Sequence, residues 1–505
     1  MGKTLRATAM LALGLLFFAT TLGLVAFLVW LGTEIGSVAN ELRGRALVLM
    51  WLLSLTVYAA AAVVGWSLWP RRTRFKPPGP ELKRDLHPAL FKELDRVAAR
   101  CDVKPPSRVY LAPDVNAFVA DVGGFAGLFT TRVLGIGLPL LHCLSRAEFR
   151  SVLAHEFGHF AGGDTRIGGW VFRTRQAIAG VVTNLGSAAD ASADADAPFI
   201  AMFFALLRWP FLRFGEFYLH ASLALSRSQE LAADSLAAQL EGVDVLVSSL
   251  TRVRTAGLAF DGYLHSEVVP LLEQGVLPPI GPGLGRFLEA KEVDEQLRRV
   301  IRELDEEPAH ALDSHPPLAQ RVAHARALRL GPHRGNPSVE GPAHELLTHL
   351  SELELLMAEP WVRGASLKRV PWEKTAPVLE KAWRARAEAL RPALAGLTPG
   401  ALPRDAAQLG PLVARFAGAG ALRLTTDRLL LLAASAWSPA ITVALLDAGF
   451  TLDTAVGAHL EVVRGDERYQ PVRLLREWLF TGRDESWLAM WRQAGLEHVA
   501  LGEDA

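Results

Sequence analysis

The sequence predicts a mainly α-helical protein with one small β-sheet, on three observations. Two long uncharged runs stand at the N-terminus, a His-Glu-x-x-His pattern lies on a well-delimited helical stretch, and the C-terminal part repeats apolar residues at helical spacing. The expected division is a transmembrane helical hairpin over 1–76, a mixed α+β domain over 77–335, and a helical domain over 336–505.

Composition sets the outer bounds. With 505 residues, two or three domains and a sizeable core are expected. The 53 basic and 53 acidic residues balance, so no nucleic-acid partner is indicated. Half of the residues are apolar and the mean hydropathy is +0.21, high for a soluble protein. Cys101 and Cys143 are the two cysteines, which fits a reducing compartment and two buried bystanders rather than a disulfide framework.

The first apolar run, 7–33, is about 27 residues long and the second, 46–70, about 25, each enough to cross a bilayer. The first exceeds the roughly 7–15 residues of a signal-peptide core, and no convincing cleavage site follows it. Lys3 and Arg6 precede the first run, and Arg71, Arg72, Arg74 and Lys76 follow the second. The positive-inside rule then puts both ends of the hairpin in the cytoplasm, although Arg43 and Arg45 in the connecting loop weaken the bias.

Pro77-Pro78-Gly79-Pro80 is a stiff linker to the next domain. Beyond it an amphipathic helix is expected over 82–101, with short strands at Val109-Tyr110-Leu111 and at Val133 to Ile136. Asn116-Ala117-Phe118 and the glycines from Gly123 to Gly127 lie between these strands and suggest a hairpin or flap. Ser145 followed by Glu148 is a capping box that opens a helix, and Gly162-Gly163 closes it. On that helix His155 and His159, four residues apart, share a face and can reach one metal ion. Glu156 sits about 100° round from His155, placed for a carboxylate to take a proton from water that zinc has acidified to a pKa of about 7. The pattern alone arises by accident in roughly one or two chains per hundred of this length.

Further helices are expected over 167–185 and 223–240. Between them, 187–198 reads as a low-complexity acidic loop, and 199–216 as a helix at the membrane interface or in the core. Glu230 and Asp234 share a face of the 223–240 helix. Such an acidic pair is usually a solvated face. A carboxylate from a second helix would also complete a set of two histidines and one glutamate, with Asp234 accepting a hydrogen bond from a ligating imidazole.

Several ordered blocks resemble one family. Ala154 to His159, then Ser226-Arg227 with Glu230 and Asp234, then Ser314-His315-Pro316-Pro317 with Arg321, resemble the membrane-associated zinc metallopeptidases of the HtpX and CAAX prenyl protease type. Asn116-Ala117-Phe118 looks like that family's segment near the substrate edge strand. The resemblance covers roughly 82–330 and the hairpin before it. It implies a zincin-like α+β catalytic domain with one Zn2+ per chain on His155, His159 and Glu230, and Glu156 as general base. It also implies an edge strand at Asn116, Ala117 and Phe118 that holds the substrate backbone. His315 or Arg321 would stabilise the oxyanion, although Ser314-His315-Pro316 also reads as a helix N-cap and first turn. The chain departs from the prenyl-protease branch, which has many spans, so a prenylated substrate is not expected.

The expectation is a multi-pass zinc endopeptidase of the bacterial cytoplasmic membrane, facing the cytoplasm and acting on unfolded or membrane-associated polypeptides. The rival is a non-catalytic membrane adaptor with structural zinc, whose helical C-terminal domain binds protein partners. An aminopeptidase would need an acidic anchor for the substrate amine, and no such motif is evident. His344-Glu345-Leu346-Leu347-Thr348-His349 imitates the metal pattern with one residue too many, so its histidines diverge, and a surface helix is expected there. Two C-terminal segments, 445–450 and 490–496, each read as a helix ended by glycine and followed by an apolar contact.

Overall fold

The computed structural model describes residues 3–69, 75–123, 130–161, 164–306, 316–328, 330, 340–358, 367–402, 406–418, 426–453, 456, 461–481 and 484–502. The fold is mainly α with small sheets. Ser314 and His315, the basic residues 71–74, most of the expected flap and the Gly162-Gly163 stop lie outside the described residues.

Helix α1 (Lys3–Glu41) and helix α2 (Arg45–Leu68) form the expected N-terminal hairpin, turning at Gly44 with φ of +67°. Small residues let the two approach: the Tyr58 ring lies against Gly32, and the Ser54 hydroxyl donates to the Gly32 carbonyl at 2.8 Å. Both are long and apolar enough to span a membrane, and their outward side chains, among them Leu15, Leu22, Phe27, Leu49, Leu55 and Trp66, are large, apolar and exposed.

Strand β1 (Glu81–Leu82), helix α3 (Pro88–Arg100) and strands β2 (Arg108–Ala112), β3 (Ala117–Val122) and β4 (Thr131–Gly137) follow. The sheet order is β1-β2-β4-β3, with β2 parallel to β4 and β3 antiparallel on the edge. Gly137 has no room for a side chain, because a Cβ there would meet the Asp114 carbonyl oxygen at 1.9 Å. The short helix α4 (Leu138–Cys143) leads into α5 (Arg146–Ala161).

Helix α6 (Asp164–Asp194) and helix α7 (Pro198–Glu241) correct the expectations for this region. The Ala/Asp segment expected as an acidic loop over 187–198 is the end of α6, helical to Asp194. Alanine is the strongest helix former, and only a tight turn at 195–197 joins the two helices. Likewise α7 is one continuous helix of 44 residues, not an interfacial piece plus a separate helix. Its N-terminal half packs with α1, α2 and α6 around Phe17, Val57, Val64, Ile178, Val181, Phe211 and Tyr218.

Helix α8 (Val243–Tyr263), the short α9 (Val269–Leu272), strand β5 (Val276–Leu277) and helices α10 (Ile280–Glu289), α11 (Lys291–Glu306) and α12 (Leu318–Ala327) complete this part. Two features differ from the expected boundary at 335/336. Helix α13 (Leu350–Ala358) and strand β6 (Lys368–Arg369), which pairs with β5, belong with the preceding residues: Ala343, Leu346, Leu353, Met357, Trp372 and Leu379 all join the first core. The expected surface helix at His344 is instead a single 3-10 turn (Ala343–Leu346), with His344 half-buried against His142.

A second core begins near Ala387, on helix α14 (Ala376–Leu390). It continues through α15 (Ala406–Ala417), α16 (Thr426–Asp447), a meander of β7 (Thr451–Asp453), β8 (Glu461–Arg464) and β9 (Glu467–Tyr469), then α17 (Pro471–Thr481) and α18 (Asp484–Ala494). Trp437, Trp478, Trp487 and Trp491 fill it. Although α16 is apolar enough to span a membrane, 71% of its apolar window is buried in this core. Both expected glycine stops are present. Gly449 (φ +87°) and Gly495 (φ +74°) end α16 and α18, with Phe450 N–H donating to Leu445 O at 3.2 Å and Leu496 N–H to Trp491 O at 2.9 Å.

Candidate active site

Helix α5 begins as its sequence dictates. The Ser145 N–H donates to Glu148 Oε2 at 2.8 Å and the Glu148 N–H to Ser145 Oγ at 3.3 Å, the reciprocal pair of a capping box. Residues 341–343 staple the same end, with Arg146 N–H donating to Gly341 O and Ala343 N–H to Leu144 O. One turn further on, Arg150 is buried and bonds Glu241 at the end of α7 (3.0 Å) and Glu340 (2.9 Å). Arg100 of α3 bonds Glu241 as well.

The α5–α7 crossing is tightly packed beside the ligands. A side chain on Gly158 would lie 3.1 Å from the Ala233 Cα, so glycine there lets the helices nearly touch. Gly158 precedes His159, and Ala233 precedes Asp234. This packing role was missed in the sequence, where the only signal was a small residue between two prospective ligands.

Across that crossing the structure brings His155, His159 and Glu230 together, with one donor atom of each within 4.8 Å of the others. His155 Nε2 lies 3.4 Å from Glu230 Oε2, and His159 Nε2 lies 3.6 Å from Glu230 Oε1. Donors at about 2.0–2.2 Å from one tetrahedral zinc stand about 3.3–3.6 Å apart. Two imidazole nitrogens and a carboxylate at these separations therefore fit zinc. The imidazoles are edge to face, at 86° with centroids 4.9 Å apart, so their ring edges converge.

Asp234, fully buried, lies 2.9 Å from His155 Nδ1 and holds a proton on that nitrogen, which leaves Nε2 as the ring atom that faces Glu230. Arg321 of α12 donates to the same carboxylate from Nε (2.8 Å) and Nη2 (2.6 Å). The Arg321 Nη2 also lies 3.3 Å from His155 Nδ1, where both groups are donors aimed at one acceptor. His324, one turn along α12, meets Ser235 Oγ at 2.9 Å and seats α12 on α7. Two Arg321 donors thus hold Asp234.

The electrostatics match this arrangement. Burial disfavours the His155 cation, yet hydrogen bonds to Asp234 and Glu230 overcome it and raise the group to about 9 in the metal-free protein. Burial would raise the Asp234 carboxyl, but Arg321 and His155 hold it below its ordinary value. Glu156 is half-buried on the next position of α5, and its charge acts on both His155 and Arg321.

Of the expected substrate edge, Ala117 and Phe118 open the edge strand β3, which packs beside α5, and Asn116 precedes it. Ala117 is buried, and the Phe118 ring lies over Gly135 of β4. Among the described residues β3 pairs on one side only, with β4, so its other backbone edge is open there, and Asp121 is its exposed side chain.

Comparison with known proteins agrees with this geometry. The pattern of peptidase family M48 matches residues 86–329. Curated relatives named "Protease HtpX" include one from Shewanella halifaxensis, 28% identical over 47% of this chain and 73% of its own length. Another is from Tolumonas auensis, 30% identical over 32% of this chain and 57% of its own length. A third, from Shewanella frigidimarina, is 27% identical over 46% of this chain and 71% of its own length. For several relatives the matched part is little more than half of their length. No solved structure matches the chain. Residues 86–329, just under half of the chain, therefore match peptidase family M48, and the curated relatives that this part of the chain resembles are named as HtpX proteases.

Proposed function

We propose that the protein is a zinc-dependent endopeptidase of the bacterial cytoplasmic membrane, acting on unfolded or membrane-associated polypeptides on the cytoplasmic side. The observation that carries this reading is the convergence of His155, His159 and Glu230 from two helices, with Glu156 alongside. Zinc held by those three residues would supply Lewis acidity, polarising the scissile carbonyl and making water acidic near neutral pH. Glu156 takes the proton from the attacking water and delivers it to the leaving amine nitrogen. Asp234 keeps the His155 tautomer and Arg321 keeps Asp234 in place. The free edge of β3, next to α5, offers backbone donors and acceptors to an extended substrate strand.

The domain division follows: a membrane part of α1, α2 and the N-terminal half of the α6–α7 pair, a peptidase domain, and a helical C-terminal domain for protein partners. Basic residues at both ends of the α1–α2 hairpin support the cytoplasmic orientation. The test is Glu156→Gln in the full chain. It should retain zinc at the wild-type ratio while casein cleavage falls by about a thousandfold or more. Cleavage at the wild-type rate would refute the mechanism.

A further inference from the structure

The bundle of α1, α2, α6 and α7 has two outer faces of opposite chemistry at one depth. Phe17 marks the depth, ten residues and about 15 Å into the apolar run that begins at Ala7. With the edge of the hydrocarbon layer set at Ala7, this is the middle of a layer about 30 Å thick. On the α1 face at this level Leu15, Leu16 and Leu22 are exposed, as lipid contact requires. On the α7 side Phe17 stacks on Phe214 at 5.6 Å, which fixes the level of the neighbouring turn.

That turn is charged. Arg213 and Glu216 form an ion pair at 2.7 Å with side chains 64% and 56% exposed, and His220, also exposed, bonds the Glu216 carbonyl at 2.7 Å through Nδ1. Below them the outward residues of α7 are apolar: Phe199, Met202, Leu206 and Trp209. Spacings of three and four residues put 213, 216 and 220 on one broad stripe of the helix, and the same face runs on, through the buried Leu223 and the half-buried Arg227, to Glu230 and Asp234. Facing acyl chains, a charged side chain at mid-depth is disfavoured. Water and a polar polypeptide backbone both relieve that cost, and the stripe ends at the metal-binding residues.

We propose that Arg213, Glu216 and His220 line a lateral track along which a membrane-tethered polypeptide, leaving the bilayer, is led to the His155–His159–Glu230 site. The occupant is a polypeptide segment because the stripe lies on the same face of α7 as the peptidase site and leads towards it, and because its donors and acceptors suit a main chain that lacks regular structure. The track rests on the peptidase reading and gives it a selectivity: tethered chains are favoured over the same sequence in free solution.

The experiment uses the full chain in vesicles, with one peptide presented either on a transmembrane anchor or detached. A photoreactive phenylalanine analogue replaces Phe217, exposed on the stripe, or Leu16, exposed at the same depth on α1. In the Glu156→Gln background, the anchored peptide should cross-link at 217 about tenfold more than at 16, and the detached peptide should show no such bias. Separately, Arg213→Leu with Glu216→Leu should lower the anchored-to-detached ratio of kcat/KM by about tenfold. Equal capture at 217 and 16 would overturn the track, as would capture at 217 of a second copy of the chain alone. Capture at 217 with no cleavage of either peptide by the wild-type chain would leave the track standing and refute the peptidase reading.

Discussion

Two pairs of histidines in this protein sit beside buried glutamates, and they have become different things. His155 and His159 meet edge to face at 86°, so their nitrogens converge beside Glu230. His142 and His344 stack at 19° with centroids 4.4 Å apart, so their lone pairs lie in near-parallel planes and cannot meet on one ion. Glu354 Oε1 approaches His142 Nε2 only to 3.9 Å and accepts the Gly281 N–H. Burial lowers His142 to about 3, so the imidazole in this contact is neutral, and burial also raises the Glu354 carboxyl. The difference lies in the surroundings. Asp234 and Arg321 give His155 a charged, hydrogen-bonded frame, whereas His142 is enclosed by Gly281, the His344 ring and core side chains. Ring orientation and the partner of the second nitrogen, rather than a nearby carboxylate, separate a ligand pair from a packed pair.

The largest effect that would break this contrast is loss of a ligand. His155→Ala should abolish zinc retention and reduce peptidase activity by about a thousandfold or more, whereas His344→Ala should leave zinc at one per chain. Metal analysis beside a casein assay reads both; zinc lost in the His344 variant would erase the distinction. Next, Asp234→Asn should weaken zinc affinity about 10–100-fold, because Nδ1 of His155 loses its charged acceptor. Competition with a chelator of known affinity measures it, and an unchanged affinity would remove Asp234 from the site's frame.

The smallest effect concerns the stacked pair and pH. His142 has a folded value below its ordinary 6.5, so its contribution to stability is complete above pH 6.5 and is lost as pH falls from there towards 3. At pH 5 the loss is about 2 kcal/mol. Thermal unfolding of the metal-free protein should therefore show a larger drop from pH 7 to 5 in the wild type than in His142→Leu. Equal drops would mean that His142 is not the buried neutral group described.

The ligand helix was legible because its information is local: Ser145 and Glu148 cap it, and four-residue spacing aligns the histidines. Glu230 was legible only as a candidate, since no local rule says which carboxylate crosses to another helix. The Asp234–Arg321 pair was not legible, because it joins residues 87 positions apart through tertiary packing. Helix α7 was misread because Arg208, Pro210, Arg213 and Glu216 interrupt its hydropathy while leaving its backbone helical. Propensity was underweighted for the Ala/Asp end of α6. The place of Ala343, Leu353, Met357, Trp372 and Leu379 in the first core was hidden for the opposite reason: the family resemblance stops before them, but their apolar side chains do not.

The most direct measurement is diffraction at the zinc absorption edge from crystals of the full chain grown with zinc. A single anomalous peak should lie about 2.0–2.2 Å from Nε2 of His155, Nε2 of His159 and a carboxylate oxygen of Glu230. A peak bound elsewhere, or a zinc ion on the two histidines with Glu230 turned away, would contradict the account.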